Sequence, residues 1–242
     1  MDYSKEYLTF DIIEGGTIVW KTSHASAPTT TISYSINNST WAEITSSVSG
    51  VSLNVTAGDR IRFKGSNNQY GSTTLSYYNT FNSSTAKFDV KGNIMSLLNS
   101  DSFINVTTIS SSYTFNHLFD AVHIINAKNL ILPATTLAQY CYRGMFYNCI
   151  YLVTAPELPA PTLTAECYSE MFYGCTSLIN APELPATTLA ISCYAGMFDG
   201  CTNLVNAPEL PATYIAGYAY NSMFKNCTSL VTAPSLPSTR FG

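Results

Sequence analysis

Three segments of the chain place a methionine midway between two cysteines: "CYRGMFYNC" from Cys141, "CYSEMFYGC" from Cys167 and "CYAGMFDGC" from Cys193. Thiolates and thioethers are the ligands that soft metals such as Cu(I) prefer. Paired cysteines also form disulfides, and free cysteine and methionine pack well in an apolar core. The choice among these three roles decides whether the segments do chemistry.

The other side chains that could act in catalysis form no recognisable motif. The three histidines, His24, His117 and His123, lack the spacing of a catalytic triad or a zinc site. Glutamates recur beside a proline every 26 residues, which favours a row of exposed charges over an acid–base pair; they are Glu157, Glu183 and Glu209. No phosphate loop, nucleophile elbow or zinc motif is present. The sequence therefore predicts no enzyme activity and no catalytic, cofactor-binding or metal-binding residues.

The composition narrows the class of partner and the location. Charged residues make up only 11% of the chain, the net charge is −4, and the lysines and arginines are scattered, which disfavours a nucleic-acid partner. No segment approaches the ~18 consecutive apolar residues of a membrane span, and the N-terminus lacks a signal-peptide pattern. Abundant Thr, Ser, Asn and Tyr suit an extracellular surface. We therefore expect a protein that acts outside the cell, at a cell surface or in a virus particle.

The chain divides into two halves with different patterns. All seven cysteines follow residue 140, and ten of the eleven prolines follow residue 130. Short runs rich in Thr, Ile, Val and aromatic residues recur before that, including "TTLSYYNTF" and "AKFDVKG", and predict a β-sandwich-like domain over residues 1–100. Glu14-Gly15-Gly16 is a hairpin signal, and turn residues also separate strands at 37–39 and 57–59. Residues 101–131 are predicted to be a connector and an irregular capping repeat.

Residues 132–242 repeat with a period of 26. Four full units and part of a fifth begin at Leu-Pro pairs; the leucines are Leu132, Leu158, Leu184, Leu210 and Leu236. Ten of the 26 positions are identical in all four full units, which is a stronger signal than any short motif.

One unit predicts a short helix and a short strand. Leu137, Cys141, Met145 and Cys149 fall four residues apart, which indicates a helix of about three turns with one apolar stripe. The following "YLVTAP" predicts a short strand that Pro156 ends. Stacked units would bury their stripes against one another. The predicted fold class is therefore α+β: an all-β sandwich-like domain followed by a solenoid with one short helix and one short strand in each repeat.

The repeated "MFxxCxxL" followed by an "LP" return resembles the BspA-like leucine-rich repeats of bacterial surface proteins. The resemblance covers roughly residues 115–242, and the "APELP" return departs from the shorter, more regular return of many relatives. A β-rich N-terminal half before such repeats also looks like proteins of gut Bacteroides and their phages. The resemblance implies a leucine-rich-repeat solenoid, a location at a bacterial cell surface or in a virion, and adhesion to host cells, neighbouring cells or matrix proteins.

The predicted helix bears on the role of the cysteines. Cys141 and Cys149 would stand about 12 Å apart on it, beyond the about 7 Å between Cα atoms that a disulfide tolerates. Helices packed ~8 to 10 Å apart also disfavour bridges between units. Seven is an odd number, and the fourth unit carries Ala219 at the position of Cys141. The sequence therefore favours buried free thiols over a metal or redox site.

Variation at a few repeat positions on a constant scaffold favours a binding module without catalysis. We expect Thr154 and its equivalents to point outward and Val153 and Ala155 to face inward. The tyrosines suit either adaptable recognition or half-buried packing. The candidate binding face comprises Thr154, Asn180, Asn206, Thr232, Tyr147, Tyr151 and Tyr173.

The expected function is recognition or adhesion, with a protein or glycan receptor on a cell or matrix surface as the partner. The alternative is a structural or receptor-binding component of a phage virion, in a tail or fibre. Four short strands span some 200 Å², far below the ~800 Å² per partner of a standard interface, so other surfaces must contribute. A second copy or a virion partner is expected to cover the C-terminal end of the repeats.

Overall fold

The computed structural model describes residues 2–72, 77–237 and 240–241, and most of its regular structure is β-sheet. Within these residues the one α-helix is Ser96–Asn99, and 3-10 helices occupy Tyr3–Lys5 and Ser100–Ser102. The predicted α+β fold class is therefore wrong, because the described residues of the repeats contain no α-helix. Residues 73–76, part of the predicted strand "TTLSYYNTF", lie outside the described residues.

The first half of the chain folds into two sheets. A six-stranded sheet has the order β4-β3-β6-β1-β8-β9, and a three-stranded sheet has the order β5-β2-β7. A short parallel pair, β10-β11, lies in the repeats. The strands are β1 Leu8–Glu14, β2 Gly16–Thr22, β3 Thr31–Ile36, β4 Ala42–Thr45, β5 Val51–Val55, β6 Arg60–Lys64, β7 Asn79–Thr80, β8 Lys87–Asn93, β9 Asn129–Ile131, β10 Tyr214–Ile215 and β11 Arg240–Phe241.

The chain crosses between the two sheets at Gly15. β1 belongs to the six-stranded sheet and β2 to the three-stranded sheet, so the hairpin predicted at Glu14-Gly15-Gly16 is wrong. A Cβ atom on Gly15 would stand 3.0 Å from the carbonyl oxygen of Val55. The glycine is therefore explained by close approach of β5 and not by a hairpin turn.

The turn at 37–39 is a hairpin, whereas the turn at 57–59 is a second crossing between sheets. β3 pairs antiparallel with β4 around Asn37 and Asn38, which both have positive φ, as a tight hairpin turn requires. β5 and β6 belong to different sheets, and the N–H of Gly58 donates to the carbonyl of Ile12 at 2.9 Å. The two crossings therefore lie side by side.

An aromatic cluster fills the space between the two sheets. Phe10 of β1 stacks on Phe88 of β8, with ring centroids 4.2 Å apart, and contacts Phe81 at 5.0 Å. Phe81 in turn lies 4.8 Å from Trp20 of β2. These four rings are fully buried. Phe10 also meets Phe119 at 6.0 Å, so the core continues from the sheets into the residues that lead to the repeats.

In place of each predicted helix the backbone forms a spiral of tight turns. Tyr140, Gly144 and Asn148, four residues apart, have φ values of 58°, 55° and 54°. The equivalent positive-φ residues of the later units are Glu166, Glu170, Gly174, Ser192, Gly196, Gly200, Tyr218, Ser222 and Asn226. An α-helix does not accommodate left-handed residues, whereas a tight turn does. The leucine-rich-repeat solenoid of helices and strands is therefore wrong, and we call residues 138–149 and their equivalents the turn spiral.

Amide groups in the turn spiral alternate between two kinds of partner. The N–H of Met145 donates to the carbonyl of Tyr142, three residues earlier, at 3.2 Å. The N–H of Tyr142 donates instead to the carbonyl of Cys167 in the next unit, at 3.0 Å. Every second amide along the spiral therefore connects one unit to the next.

The units stack in register along two further lines of contact. Isolated parallel bridges join Thr154 to Asn180 and Thr162 to Thr188, each 26 residues apart. Inside the stack, equivalent rings lie almost parallel; Phe146 and Phe172 are 5.4 Å apart at 9°. The predicted burial of one unit against the next is therefore present, although turns and not helices carry it. At the N-terminal end, β9 pairs parallel with β8 and joins the stack to the six-stranded sheet.

Candidate functional site

A groove of about 590 Å³ runs across the extended segments that return from one unit to the next. We call it the return groove. Its volume lies within the range of about 300 to 1,000 Å³ that is usual for ligand sites. It is lined by Lys128, Val153, Thr154, Ala155, Pro156, Glu157, Leu158, Pro159, Asn180, Ala181, Pro182, Glu183 and Pro185.

The repeated prolines shape this groove. Pro156 and Pro159 have no N–H to donate, which keeps the returns from forming a continuous sheet. Between them, Glu157 is exposed while Leu158 is buried at 3% exposure. This alternation is that of extended backbone, with leucines anchored in the core. The groove therefore has apolar walls of alanine and proline and charged groups at its rim.

Two residues of the predicted binding face, Thr154 and Asn180, line the return groove. Parallel bridges connect them to each other and onward to Asn206 and Thr232. The Nδ2 of Asn206 donates to the Oδ1 of Asn180 at 3.3 Å, and the Oγ1 of Thr154 donates to the Oδ1 of Asn126 at 3.0 Å. The four predicted polar positions thus form one ladder, and its first two members face the groove.

The inward direction predicted for the Val153 position is wrong. Its equivalents Ile179, Val205 and Val231 are 44%, 36% and 78% exposed. The Ala155 position does pack against the core. Because the strands are reduced to single bridges, the two neighbours of the ladder residue need not point to the same side.

The tyrosines Tyr147 and Tyr173 belong to a second surface. Their rings stack at 4.6 Å and 3°, and Tyr147 continues to His117 at 5.2 Å, which stacks on Tyr78 at 4.7 Å. We call these four residues the tyrosine row; all are half-buried. The third unit ends the row because Asp199 stands at the next equivalent position. Half-buried packing therefore accounts for these tyrosines.

His117 has an unusual environment within the tyrosine row. Its backbone has a φ of 52°, and its Nδ1 is buried with no hydrogen-bond partner among the described residues. Burial, followed by the nearby charge of Arg143, lowers the pKa of this imidazole to about 4. Gly144 leaves room for the ring, since a Cβ there would stand 2.5 Å from the imidazole Cε1. The side chain is therefore held neutral near pH 7.

Tyr151, the remaining predicted residue, has other neighbours. Its ring meets His123 edge-on at 5.0 Å, and the Nζ of Lys87 lies 5.0 Å from its centroid. Lys87 also pairs with Glu14 at 2.9 Å. The seven predicted residues therefore divide among a polar ladder, the tyrosine row and this separate cluster on β8, instead of forming a single face.

The seven cysteines are free thiols, six of them buried and Cys227 partly exposed. The second cysteine of each unit donates its Sγ–H to a phenylalanine carbonyl of the preceding unit, as Cys175 does to Phe146 at 3.1 Å. The same bond recurs from Cys149, Cys201 and Cys227. The prediction of buried free thiols is confirmed for six residues, and Cys227 is the exception.

The histidines and acidic residues form no metal centre among the described residues, where no group of three or more His, Cys, Asp or Glu side chains is placed to hold an ion. His24 stacks on Tyr77 at 4.8 Å, so each of the three histidines lies against a tyrosine. Across the same described ranges, no helix has both the length and the apolar character that crossing a membrane requires.

Sequence reasoning missed the groove residues Lys128, Glu157 and Glu183. For the glutamates the sequence predicts only a row of exposed charges, and Lys128 precedes the regular units. The signal lay in the recurring "APELP", because a proline on each side of an exposed glutamate prevents strand pairing and leaves a channel between neighbouring returns.

Comparison with known proteins gives no relative: no family model, no curated protein and no solved structure matches the chain.

Proposed function

We propose that the protein is a recognition module without catalytic activity, and that the return groove holds a short extended segment of a protein ligand on a cell or matrix surface. The observation that carries the proposal is the groove itself. It is formed by two consecutive returns and includes Thr154 and Asn180, the two polar residues of the ladder nearest its N-terminal end.

The chemistry of the groove favours a peptide over a sugar. Its walls are mainly alanine, valine, leucine and proline, without the aromatic rings on which a sugar could stack. Its rim carries Glu157 and Glu183 against the single cation Lys128. An apolar segment with a basic side chain would match both features, since complementary charge speeds association and selects partners.

Rigid stacking supports the same interpretation. Leu158 and Leu184 anchor the returns in the core, each at 3% exposure. A groove that is already formed binds without the entropic cost of ordering its walls. Its small size predicts modest affinity from one molecule, and several copies presented together would raise the effective affinity.

The test is binding of the purified chain to arrays of matrix proteins and glycans, compared with two tryptophan variants. Asn180→Trp fills the groove, whereas Asn206→Trp alters the equivalent residue outside the groove lining. Both variants lose the same amide hydrogen bond at 3.3 Å, so their stabilities should change alike. We expect Asn180→Trp alone to reduce binding to a protein ligand at least tenfold.

Equal loss in both variants, or binding confined to glycans, would contradict the proposal. Reversing the rim charge gives a second comparison. Glu183→Arg should slow association with a basic ligand, whereas Glu209→Arg, at the equivalent exposed position outside the groove, should not. The association rate measured at low and high salt separates this charge effect from a change of fold.

A second candidate function is a structural or receptor-binding component of a phage virion. The observation that favours it is the exposure of large apolar side chains in the last units: Tyr218 and Val231 of the fourth unit and Leu236 of the partial fifth unit are 75%, 78% and 54% exposed. Apolar patches of this kind often mark assembly surfaces. Gold-labelled antibody against the chain would decide: label on purified phage particles supports this candidate, and label confined to the bacterial surface contradicts it.

A further inference from the structure

The outer face of the six-stranded sheet carries two cations that belong to β6. Ile61 and Phe63 of this strand are fully buried in the core. Side chains alternate along a strand, so Arg62 and Lys64 lie on the opposite, outer face. Because β6 is the third of the six strands, both cations lie near the middle of that face and not at its edge.

Two aromatic rings pack on these cations. The guanidinium carbon of Arg62 lies 5.3 Å from the ring centroid of Trp41, and the Nζ of Lys64 lies 4.6 Å from it. The ring of Tyr7 meets the indole edge-on at 5.1 Å and lies 5.9 Å from each cation. We call Tyr7, Trp41, Arg62 and Lys64 the indole cluster. All four are half-buried, so part of each residue remains open to solvent.

The two cations of the indole cluster differ in their partners. The Nζ of Lys64 pairs with the carboxylate of Asp101 at 2.8 Å, and the hydroxyl of Tyr7 donates to the same carboxylate at 2.7 Å. These hydrogen bonds, that of Lys64 first, lower the pKa of Asp101, so this carboxylate is charged near pH 7. Arg62 pairs with no carboxylate in the part of the chain that the structure describes. Its one hydrogen bond there runs from Nη2 to the Oγ of Ser35 at 3.1 Å, and its Nε is buried without an acceptor.

We propose that the indole cluster binds a sugar that carries a carboxylate, such as a uronic or a sialic acid, with the carboxylate on Arg62 and the sugar ring on Trp41. A half-buried guanidinium without a counter-ion favours an anionic ligand, and its planar fork matches a carboxylate through two parallel hydrogen bonds. Because Asp101 already neutralises Lys64, one unmatched positive charge remains. That charge fits a carboxylate monoanion better than a phosphate dianion.

The surroundings of Arg62 favour a sugar over an acidic peptide. The half-buried indole of Trp41 offers an apolar ring face beside the charge, and the side chain of an aspartate or a glutamate has no ring to place on it. Ser39 and Thr40, the two residues before Trp41, are exposed, and their hydroxyls can bond to those of a sugar. The indole cluster shares no residue with the return groove, and the inference does not depend on that groove.

The probes are the methyl glycosides of glucuronic acid and of N-acetylneuraminic acid, titrated into the intact chain, with neutral methyl glucoside as the control. The readout is the NMR signal of each indole N–H. The chain has two tryptophans, and Trp20 is an internal reference because it is fully buried and its Nε1 donates to the carbonyl of Thr30 at 3.0 Å. At least one acidic glycoside should shift the Trp41 signal in a saturable way and leave that of Trp20 unchanged. The neutral glucoside should bind at least tenfold more weakly.

Two arginines on the same face of β6 give a matched pair of variants. Arg62→Gln should weaken binding of the acidic glycoside at least tenfold, and Arg62→Lys should weaken it nearly as much because the fork is lost while the charge stays. Arg60→Gln should leave the affinity within twofold, since that guanidinium already pairs with Asp11 at 2.7 Å. An unchanged Trp20 signal shows that each variant is folded. The comparison of acidic and neutral sugars on the native chain is an independent test if an Arg62 variant folds poorly.

Five results would overturn the proposal. They are no shift of the Trp41 signal by either acidic glycoside at millimolar concentration, an equal shift by the neutral glucoside, and the same shift by acetate or inorganic phosphate alone. The other two are tighter binding of a glutamate-rich peptide than of either sugar, and equal loss of sugar binding in Arg60→Gln and Arg62→Gln.

Discussion

The two halves of the chain build their cores in different ways. In the β half, Phe10 meets Phe81 at 71°, Phe88 at 18° and Phe63 at 54°, so each ring has its own surroundings. In the repeats, neighbouring rings such as Phe172 and Phe198 lie within 4° of parallel. The first core is a set of unique contacts, whereas the second repeats one contact by translation.

This difference decides what a substitution can reveal. In the β half, the loss of stability caused by a substitution depends on one unique site, and the chain contains no equivalent residue with which to compare it. In the repeats the same change can be made in the middle or at the end of a row, so a neighbour's contribution is measured by comparing equivalent residues. The predictions below use that comparison, from the largest expected effect to the smallest.

Phe10→Ala should lower the free energy of unfolding by about 4 kcal/mol, since it removes a fully buried ring that touches four other rings. Phe172→Ala, buried between two stacked rings, should cost about as much. Phe224→Ala, half-exposed with one stacked neighbour, should cost only about 1 to 2 kcal/mol. Urea unfolding measures all three. Equal costs for Phe172 and Phe224 would refute the dependence on neighbours.

The buried imidazole of His117 should make stability depend on pH. Its pKa is lowered to about 4 by burial, whereas the unfolded chain takes up the proton near its ordinary pKa of about 6.5. As the pH falls through this window the unfolded state binds the proton first, so the free energy of unfolding drops, by up to about 3 kcal/mol. Unfolding by urea at a series of pH values measures the loss.

The control for this prediction is His117→Asn, because asparagine tolerates the positive φ at this position and does not titrate. Burial raises the pKa of Asp120, so its protonation stabilises the fold as the pH falls and opposes the effect of His117. The difference between the native chain and the variant isolates the imidazole. A difference that is constant from pH 7 to pH 4 would contradict the assignment.

Gly144 and Gly196 occupy the same position in different units and should respond differently to alanine. Both have positive φ, and Glu170 and Ser222 already stand at this position in the other two units. Gly196→Ala should therefore cost about 1 kcal/mol for the backbone conformation. Gly144→Ala should cost about 2 kcal/mol or more, because its Cβ would also displace the His117 ring. Combining Gly144→Ala with His117→Asn should recover part of the loss, and an additive double variant would argue against the clash.

The strands of the β half could be predicted because alternation with a period of two belongs to extended backbone. Which strands pair with one another could not be predicted. Gly15 and Gly58 are followed by strands at hairpin distance, yet the chain changes sheets at both, and a short loop with glycine fits either path. Burial of the repeated leucines and phenylalanines followed directly from the period of 26.

The prediction of a helix in each unit is wrong because apolar residues at i and i+4 line up both in an α-helix and in a series of four-residue turns. The distinguishing signal was present just before the second cysteine, where Asn148, Gly174, Gly200 and Asn226 all have positive φ. Glycine and asparagine are the residues that best adopt this conformation, and neither favours a helix interior. The candidate groove could not be predicted, since its shape depends on the distance between neighbouring returns and not on one unit.

The cysteines form two rows along the stack, one from the first cysteine position of each unit and one from the second. Substitutions in these rows have the smallest expected effect on stability, and they compare equivalent positions directly. The first row tolerates Ala219 in the fourth unit, whereas all four members of the second row are cysteine and donate to a phenylalanine carbonyl. Cys175→Ala should therefore cost about 1 kcal/mol more than Cys167→Ala, since it also removes a buried donor. Urea unfolding compares the two variants. An equal or larger loss of stability for Cys167→Ala would show that the hydrogen bond does not explain why the second position is cysteine in all four units.

Alkylation of the native chain separates the thiols by position along the same row. Burial raises the pKa of Cys227 to about 11 and that of Cys175 well above its ordinary value, and only Cys227 is partly exposed. The thiolate is the reactive form, so iodoacetamide at pH 8 should modify Cys227 first and leave the other six until the chain opens. Mass spectrometry of peptides from timed samples identifies the order. Early modification of Cys175, which lies two units inside the stack, would mean that the turn spirals separate in the native state.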